Sequence, residues 1–156
     1  VSDGTQVFGV ASTFDKQQIA LRNGAKKVFD RNEVLNKKLF GSFDTVFDGT
    51  GSTLETSFKL IKHRGKVVFF GMAGGNPSKI DPVSLLSESK SLLTGDLWDY
   101  LTTQPSRQMR FNRLLKYVLA GDLDLAKPKV YALSAGYEAH RLMESGKSVG
   151  KIVLKP

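Results

Sequence analysis

The feature that most limits how this chain can fold is its change of period. Short, β-rich apolar runs alternate with helical runs almost from end to end. That alternation marks βαβ units and a mostly parallel sheet with helices on its faces. The first run is QVFGVAST, residues 6–13. A helix is predicted from Phe14 to Arg22, stopped by Asn23-Gly24. KKVFDR is the second run, followed by a helix-compatible stretch from Glu33 to Phe40. FDTVFDGTG is the third. Ser52-Thr53-Leu54-Glu55 then reads as a capping box opening a helix with Leu54, Phe58 and Ile61 on one face, ending at His63-Arg64-Gly65.

GKVVFFG is nearly continuous in apolar residues, as expected of a strand buried on both faces. GMAGGNPSKIDP is a Gly- and Pro-rich loop, and SLLTGDL is read as a further strand. Residues 105–119 carry the strongest helix signal, with Pro105 near the start and Gly121 just past the end. A strand at KVYAL, a short helix from Tyr137 to Glu144 and a last strand at KIVLKP close the chain.

Composition narrows the function classes. With 156 residues, 40% hydrophobic and 24% charged, the chain is an ordinary globular domain or a large piece of a bigger one. It has no cysteine, which excludes a disulfide scaffold, an Fe–S cluster, a thiolate zinc site and a Cys nucleophile together. His63 and His140 are its two histidines, so no His-rich metal site is expected. No apolar stretch approaches the ~20 residues of a membrane helix. VSDGTQ at the start has neither the apolar nor the Arg-rich pattern of a targeting segment, so a cytoplasmic protein is expected. Starting at Val1, the chain is expected to be a processed or partial one.

The net charge of +8 raises nucleic acid as a partner. Arg107, Arg110, Arg113 and Lys116 recur every three residues. Each step turns about −60° around a helix, so the four fan out over roughly half of it instead of forming a stripe. No RNA-binding or finger motif accompanies them, which leaves a solvated helix face as the stronger reading.

In an open parallel sheet, ligands sit beyond the carboxyl ends of the strands. Ser12, Thr13 and Lys16 follow the first run, Arg31 the second, Gly49-Thr50-Gly51 the third and Gly71-Met72-Ala73 the fourth. In a dinucleotide fold, an acidic residue ending the second strand accepts from the ribose 2′-OH and selects NAD. Ala11-Ser12-Thr13 offers hydroxyls and a helix N-terminus instead, with Lys16 and Arg31 nearby to meet a 2′-phosphate. The same residues read at least as readily as an N-cap and a solvated lysine. Gly49 and Gly51 allow either close approach of a flat ring or simply a tight turn. No GxGxxG opens a helix, and no P-loop pattern exists. His63 reads as a helix-end imidazole, His140 as surface or packing, and Tyr100 as core more than pocket wall.

VFGVASTFDK with LRNGAKKVFD, then FDTVFDGTGSTLETSFKLIKHRGKVVFFGMAGG, then SGKSVGKIVLKP resemble the C-terminal part of a zinc-independent medium-chain dehydrogenase/reductase. The quinone oxidoreductase (zeta-crystallin-like) branch is the nearest in style, and the resemblance covers nearly the whole chain. It implies an α/β, Rossmann-like, mostly parallel sheet with flanking helices, lacking the family's first βα unit with its GxGxxG turn. Residues 1–128 would be a partial dinucleotide-binding domain. Residues 129–156 would be a strand-helix-strand segment returning toward a GroES-like substrate lobe outside this chain.

The function implied is an NADPH-dependent oxidoreductase that passes hydride to a quinone or enone, a homo-oligomer acting on a small molecule. By resemblance, Ser12, Thr13, Lys16 and Arg31 match positions around the adenosine 2′-phosphate, although many relatives carry Tyr where this chain has Arg31. Gly49-Thr50-Gly51 and Gly71-Met72-Ala73 match turns along the ribose and nicotinamide, and Lys147 falls in a segment returning toward the cofactor. No side chain is assigned a catalytic role. The alternative is a non-enzymatic module or pseudoenzyme that binds RNA or a partner protein.

Overall fold

A computed structural model describes residues 4–156; Val1 to Asp3, the start of the VSDGTQ segment, lie outside the described residues. The elements in chain order are β1 (Phe8–Val10), α1 (Phe14–Arg22), β2 (Lys27–Phe29), β3 (Phe43–Asp48), α2 (Leu54–Leu60) and β4 (Ile61–Phe69). They continue with α3 (Pro82–Ser87), β5 (Ser91–Thr94), α4 (Leu97–Tyr100), α5 (Gln104–Leu119), β6 (Lys129–Ala132), α6 (Gly136–Glu144) and β7 (Ile152–Lys155). The chain divides into two compact units, Val1–Val28 with Arg113–Pro156, and Phe29–Asn112.

The second unit is built on a parallel sheet of order β3-β4-β5. Val46 sits opposite Val67, and Val67 opposite Leu92, so one apolar row crosses all three strands. Leu54 and Phe58 of α2 close over that row with Ile61 and Val67, and Val46, Phe69, Ile80, Leu85 and Leu92 pack around them. Ile61 and Val67 are completely buried. Burying side chains of this size contributes roughly 1.5–3 kcal/mol each, which makes α2 on the sheet the main source of cohesion in this unit.

In the first unit β6 and β7 pair in parallel, and β1 pairs with β2. Helix α1 is capped by Thr13, whose hydroxyl accepts from the Lys16 amide, and it ends at Asn23. Neither α1 nor α5 has a buried residue, and Ala139 of α6 is the buried apolar residue of this unit among those described.

The expected parallel α/β pattern is present, with several local differences. Three sheets of two, three and two strands replace a continuous one. The first strand keeps only Phe8–Val10 of the 6–13 run. The helix-compatible stretch 33–40 forms two 3₁₀ turns, Glu33–Leu35 and Lys37–Leu39. Asn36 separates them: its backbone is extended, and its side chain accepts from the Lys38 amide, the competition that makes Asn a helix interrupter.

Helix α2 stops at Leu60, before His63-Arg64-Gly65. Ile61 is already extended and pairs with Phe43, and the next pair is Thr45 with Lys66. Residues 62–65 are therefore looped out of the β3–β4 ladder. The capping box does not form either. Thr53 makes no side-chain cap bond, and Glu55 pairs with Lys59 at 2.6 Å. GKVVFFG is buried at Gly65 and Val67, but Phe70 is exposed. Helices α3 and α4 have no counterpart in the sequence reading. Their signals are Asp81 before Pro82 and Asp96 before Leu97, each of which caps its helix through its side chain.

The looped-out turn holds Arg64 at φ 62°, a left-handed conformation that a Cβ disfavours. The Arg64 amide is held there by a 3.0 Å bond to the Glu88 carbonyl. Arg64→Gly should therefore raise stability by about 1 kcal/mol in urea denaturation with an unchanged slope, because the strain outweighs the extra chain entropy of glycine. Arg64→Ala, which keeps the Cβ, should stay within about 0.5 kcal/mol of wild type.

Candidate functional site

At the carboxyl ends of β3 and β4 the chain makes two glycine turns, and they are joined through main chain. The Phe70 amide donates to the Asp48 carbonyl (3.0 Å), Ala73 to Gly49 (3.1 Å) and Gly74 to Thr50 (2.8 Å). The glycines serve this approach. A Cβ on Gly51, which sits at φ +83°, would overlap the Gly75 carbonyl oxygen. One on Gly74 would lie 2.6 Å from Thr50 Cγ2, and one on Gly71 3.1 Å from the Gly49 carbonyl. The flat ring lying against Gly49 is that of Phe70, 2.9 Å from where a Cβ would be. Within the chain, the crowding at Gly49 and Gly51 comes from the second loop, residues 70–75.

Asp48 anchors the turns and was not singled out from the sequence. Its residue is 3% exposed, yet its carboxylate is fully engaged. Oδ1 accepts from the amides of Thr50 (2.8 Å) and Gly51 (3.1 Å), and Oδ2 from the Ser57 hydroxyl (2.7 Å). The Thr53 hydroxyl donates toward this carboxylate from 3.0 and 2.9 Å of its two oxygens, and its backbone is helical (φ −95°, ψ 0°) where a side-chain cap needs an extended residue. Burial pushes the Asp48 carboxyl up, but the bonds from Ser57, Thr50, Gly51 and Thr53 together hold it below its ordinary value. The available signal was an Asp at the end of an apolar strand, with hydroxyls five and nine residues later.

In the first unit, Thr13 caps α1 and Ser12 is exposed beside it. Lys16 donates through Nζ to the Gly146 carbonyl at 2.7 Å. That bond draws the SGKSVG loop to the first turn of α1 and brings Lys147, the next residue, into the same neighbourhood. Lys16 is therefore more than a freely solvated lysine, and among the described residues one of the three donors of its ammonium is used. In the second unit Arg31 is exposed on a turn organised by Asp30, whose carboxylate accepts from the amides of Asn32 (2.6 Å) and Glu33 (2.9 Å).

The other chemistry-bearing residues are accounted for locally. His63 and His140 are exposed. Tyr100 is 53% exposed, correcting its reading as core, and Arg110 lies 5.5 Å over its ring. Arg107 and Arg110 also donate to the Leu101 and Tyr100 carbonyls, so two of the four basic residues of α5 hold a turn. A groove of about 450 Å³ in the first unit is lined by Asp15, Gln18, Ile19, Arg22 and Val149, none of them a candidate cofactor residue.

Parallel strands whose carboxyl ends carry backbone turns are the layout of a Rossmann-like nucleotide-binding fold. The chain belongs to the zinc-binding dehydrogenase family, whose domain matches residues 23–154. It is 30% identical to a probable quinone oxidoreductase of Schizosaccharomyces pombe, over 95% of this chain and 46% of that protein. With quinone oxidoreductase 1 of Escherichia coli it shares 29% identity over 98% of this chain and 50% of that one. The crystal structure of Escherichia coli quinone oxidoreductase complexed with NADPH superposes with a TM-score of 0.84 at 26% identity, covering 98% of this chain and 50% of that chain. The chain thus spans about half the length of the curated relatives it matches. Zinc does not fit its own donors: there is no cysteine, and among the described residues no group of three or more His, Asp or Glu is gathered closely enough to hold an ion.

Two outcomes follow for the turns. Gly51→Ala should cost about 1–3 kcal/mol in thermal denaturation, since it combines a left-handed backbone with a blocked Cβ position. Gly75→Ala, at φ +106° but with open space around its Cβ, adds backbone strain without the steric block and should cost less than Gly51→Ala. The second outcome concerns pH. Because the folded-state value of Asp48 is depressed, the stability its ionised form contributes is complete above the unfolded value of about 4. It is lost as pH falls through the folded value. The stability gap between wild type and Asp48→Asn should therefore be widest near neutral pH and narrow as acid is added, read from melting temperatures across a pH series.

Proposed function

We propose that this chain is the cofactor-binding part of an NADPH-dependent reductase acting on quinones or related enones. The observation that carries the reading is that a quinone oxidoreductase fold complexed with NADPH matches this chain over nearly all its length. When bound, NADPH supplies a hydride to an electrophilic carbon of the substrate. The protein's share of such a reaction is mostly binding and orientation.

In this reading, Gly49-Thr50-Gly51 and Gly71-Met72-Ala73 present main chain to the ribose and nicotinamide side. Ser12, Thr13, Lys16 and Arg31 receive the adenosine 2′-phosphate, and Lys147 contributes charge from the C-terminal loop. The missing carboxylate at Ala11-Ser12-Thr13 supports the phosphate-bearing cofactor over NADH. A small-molecule substrate and a self-associating protein complete the proposal.

Titrating the full-length protein that contains this chain with both cofactors tests it. NADPH should bind at least about tenfold more tightly than NADH, as expected of two charge-assisted phosphate contacts with hydroxyl support. Lys16→Ala combined with Arg31→Ala should erase most of that preference and leave NADH binding unchanged. Equal affinities in wild type would overturn the assignment.

A further inference from the structure

Asp48 sits where three things meet: the end of β3, the start of α2 and the turn 49–51. Its side chain fixes two amides of that turn, Thr50 and Gly51, while its own carbonyl accepts from Phe70 at the head of the second turn. Thr50 then passes the constraint on. Its amide is held by Asp48, and its carbonyl, in the peptide unit shared with Gly51, receives the Gly74 amide at 2.8 Å. The Gly49 carbonyl, in the peptide unit shared with the Thr50 amide, receives Ala73 at 3.1 Å. Both peptide planes on which the second turn hangs are therefore bounded by bonds to one carboxylate. Thr53 and Ser57 hold that carboxylate from the α2 side, so it cannot turn away without breaking hydroxyl contacts of 2.7–3.0 Å.

We propose that Asp48 is a positioning residue that sets the shape of both strand-end turns at once, and through them the main-chain edge presented to the nicotinamide side of the cofactor. The last step rests on the cofactor reading proposed above. The first step stands on hydrogen bonds within the chain. Asp48 touches no reacting atom in this account. It acts through Thr50 and Gly51 on residues 71–74.

The test uses the full-length protein that contains this chain, ¹⁵N-labelled, with amide hydrogen exchange and an NADPH titration followed on the same samples. In Asp48→Ala, exchange should accelerate at Thr50 and Gly51. It should also accelerate at Ala73 and Gly74, whose amides bond to other partners. NADPH affinity should fall about tenfold, the size of loss expected when a positioning contact is removed. Asp48→Asn keeps an acceptor of weaker charge, and it should show the same joint release in smaller measure; it decides the matter if the alanine variant does not fold. Ile61→Val, a core change at the far end of β4, should lower stability while leaving these four amides and the affinity as they are.

Release of Thr50 and Gly51 without Ala73 and Gly74, or of none of the four, would overturn the proposal. So would an affinity loss in Ile61→Val equal to that in Asp48→Ala. If wild type binds no NADPH and the four amides are still released together, the coupling of the turns stands and the cofactor reading fails.

Discussion

A carboxylate removed from water has to be compensated by the protein that encloses it, at a penalty of several kcal/mol if it is not. Small domains have a net stability of about 5–15 kcal/mol, so a bare buried charge would consume much of it. Asp48 meets this constraint with two backbone amides and two hydroxyls, and the surrounding structure follows from that solution. The turn 49–51 must fold back to offer its amides. Helix α2 must begin where Thr53 and Ser57 can reach the carboxylate, and a negative charge at that end suits the helix dipole. With α2 held there, Leu54 and Phe58 fall onto β4.

Elements that depend on local chemistry were legible from the residues. Helix α1 runs from Phe14 to Arg22 as read, because Thr13 can cap it and Asn23-Gly24 can end it without tertiary help. The convergence of Leu54, Phe58 and Ile61 was also visible, although Ile61 joins them from a strand. What escaped depended on partners distant in sequence. The end of α2 is set by the pairing of Ile61 with Phe43, a contact between strands that no window around residue 61 contains. Thr53 has the right identity for a cap, but its backbone is helical there and its hydroxyl is turned to Asp48, outside the box. Asn36 is a local signal inside the stretch read as helix-compatible, since its side chain accepts from the Lys38 amide and interrupts the helix.

The candidate site shows the same split. Its strand-end position and its glycines could be read from composition and spacing. The reason for the glycines could not, because it is the approach of residues 70–75 to residues 48–51. The lysine at 16 has a comparable history. Its charge was evident, but its bond to the Gly146 carbonyl joins positions 130 residues apart. Such long-range contacts turn two separate readings, a helix-capping segment and a C-terminal loop, into neighbours.

The link between the two glycine turns is made of main-chain atoms, and Met72 and Ala73 stand at exposed positions, while the Thr50 methyl lies against Gly74. Frame and lining are therefore chemically independent. Substitution at Met72 or Ala73 changes the size and polarity of the exposed rim while leaving the hydrogen bonds that shape it intact. A rim of this kind can be relined repeatedly over evolutionary time, exchanging size and polarity around an unaltered backbone, whereas Asp48 and the glycines have no such latitude.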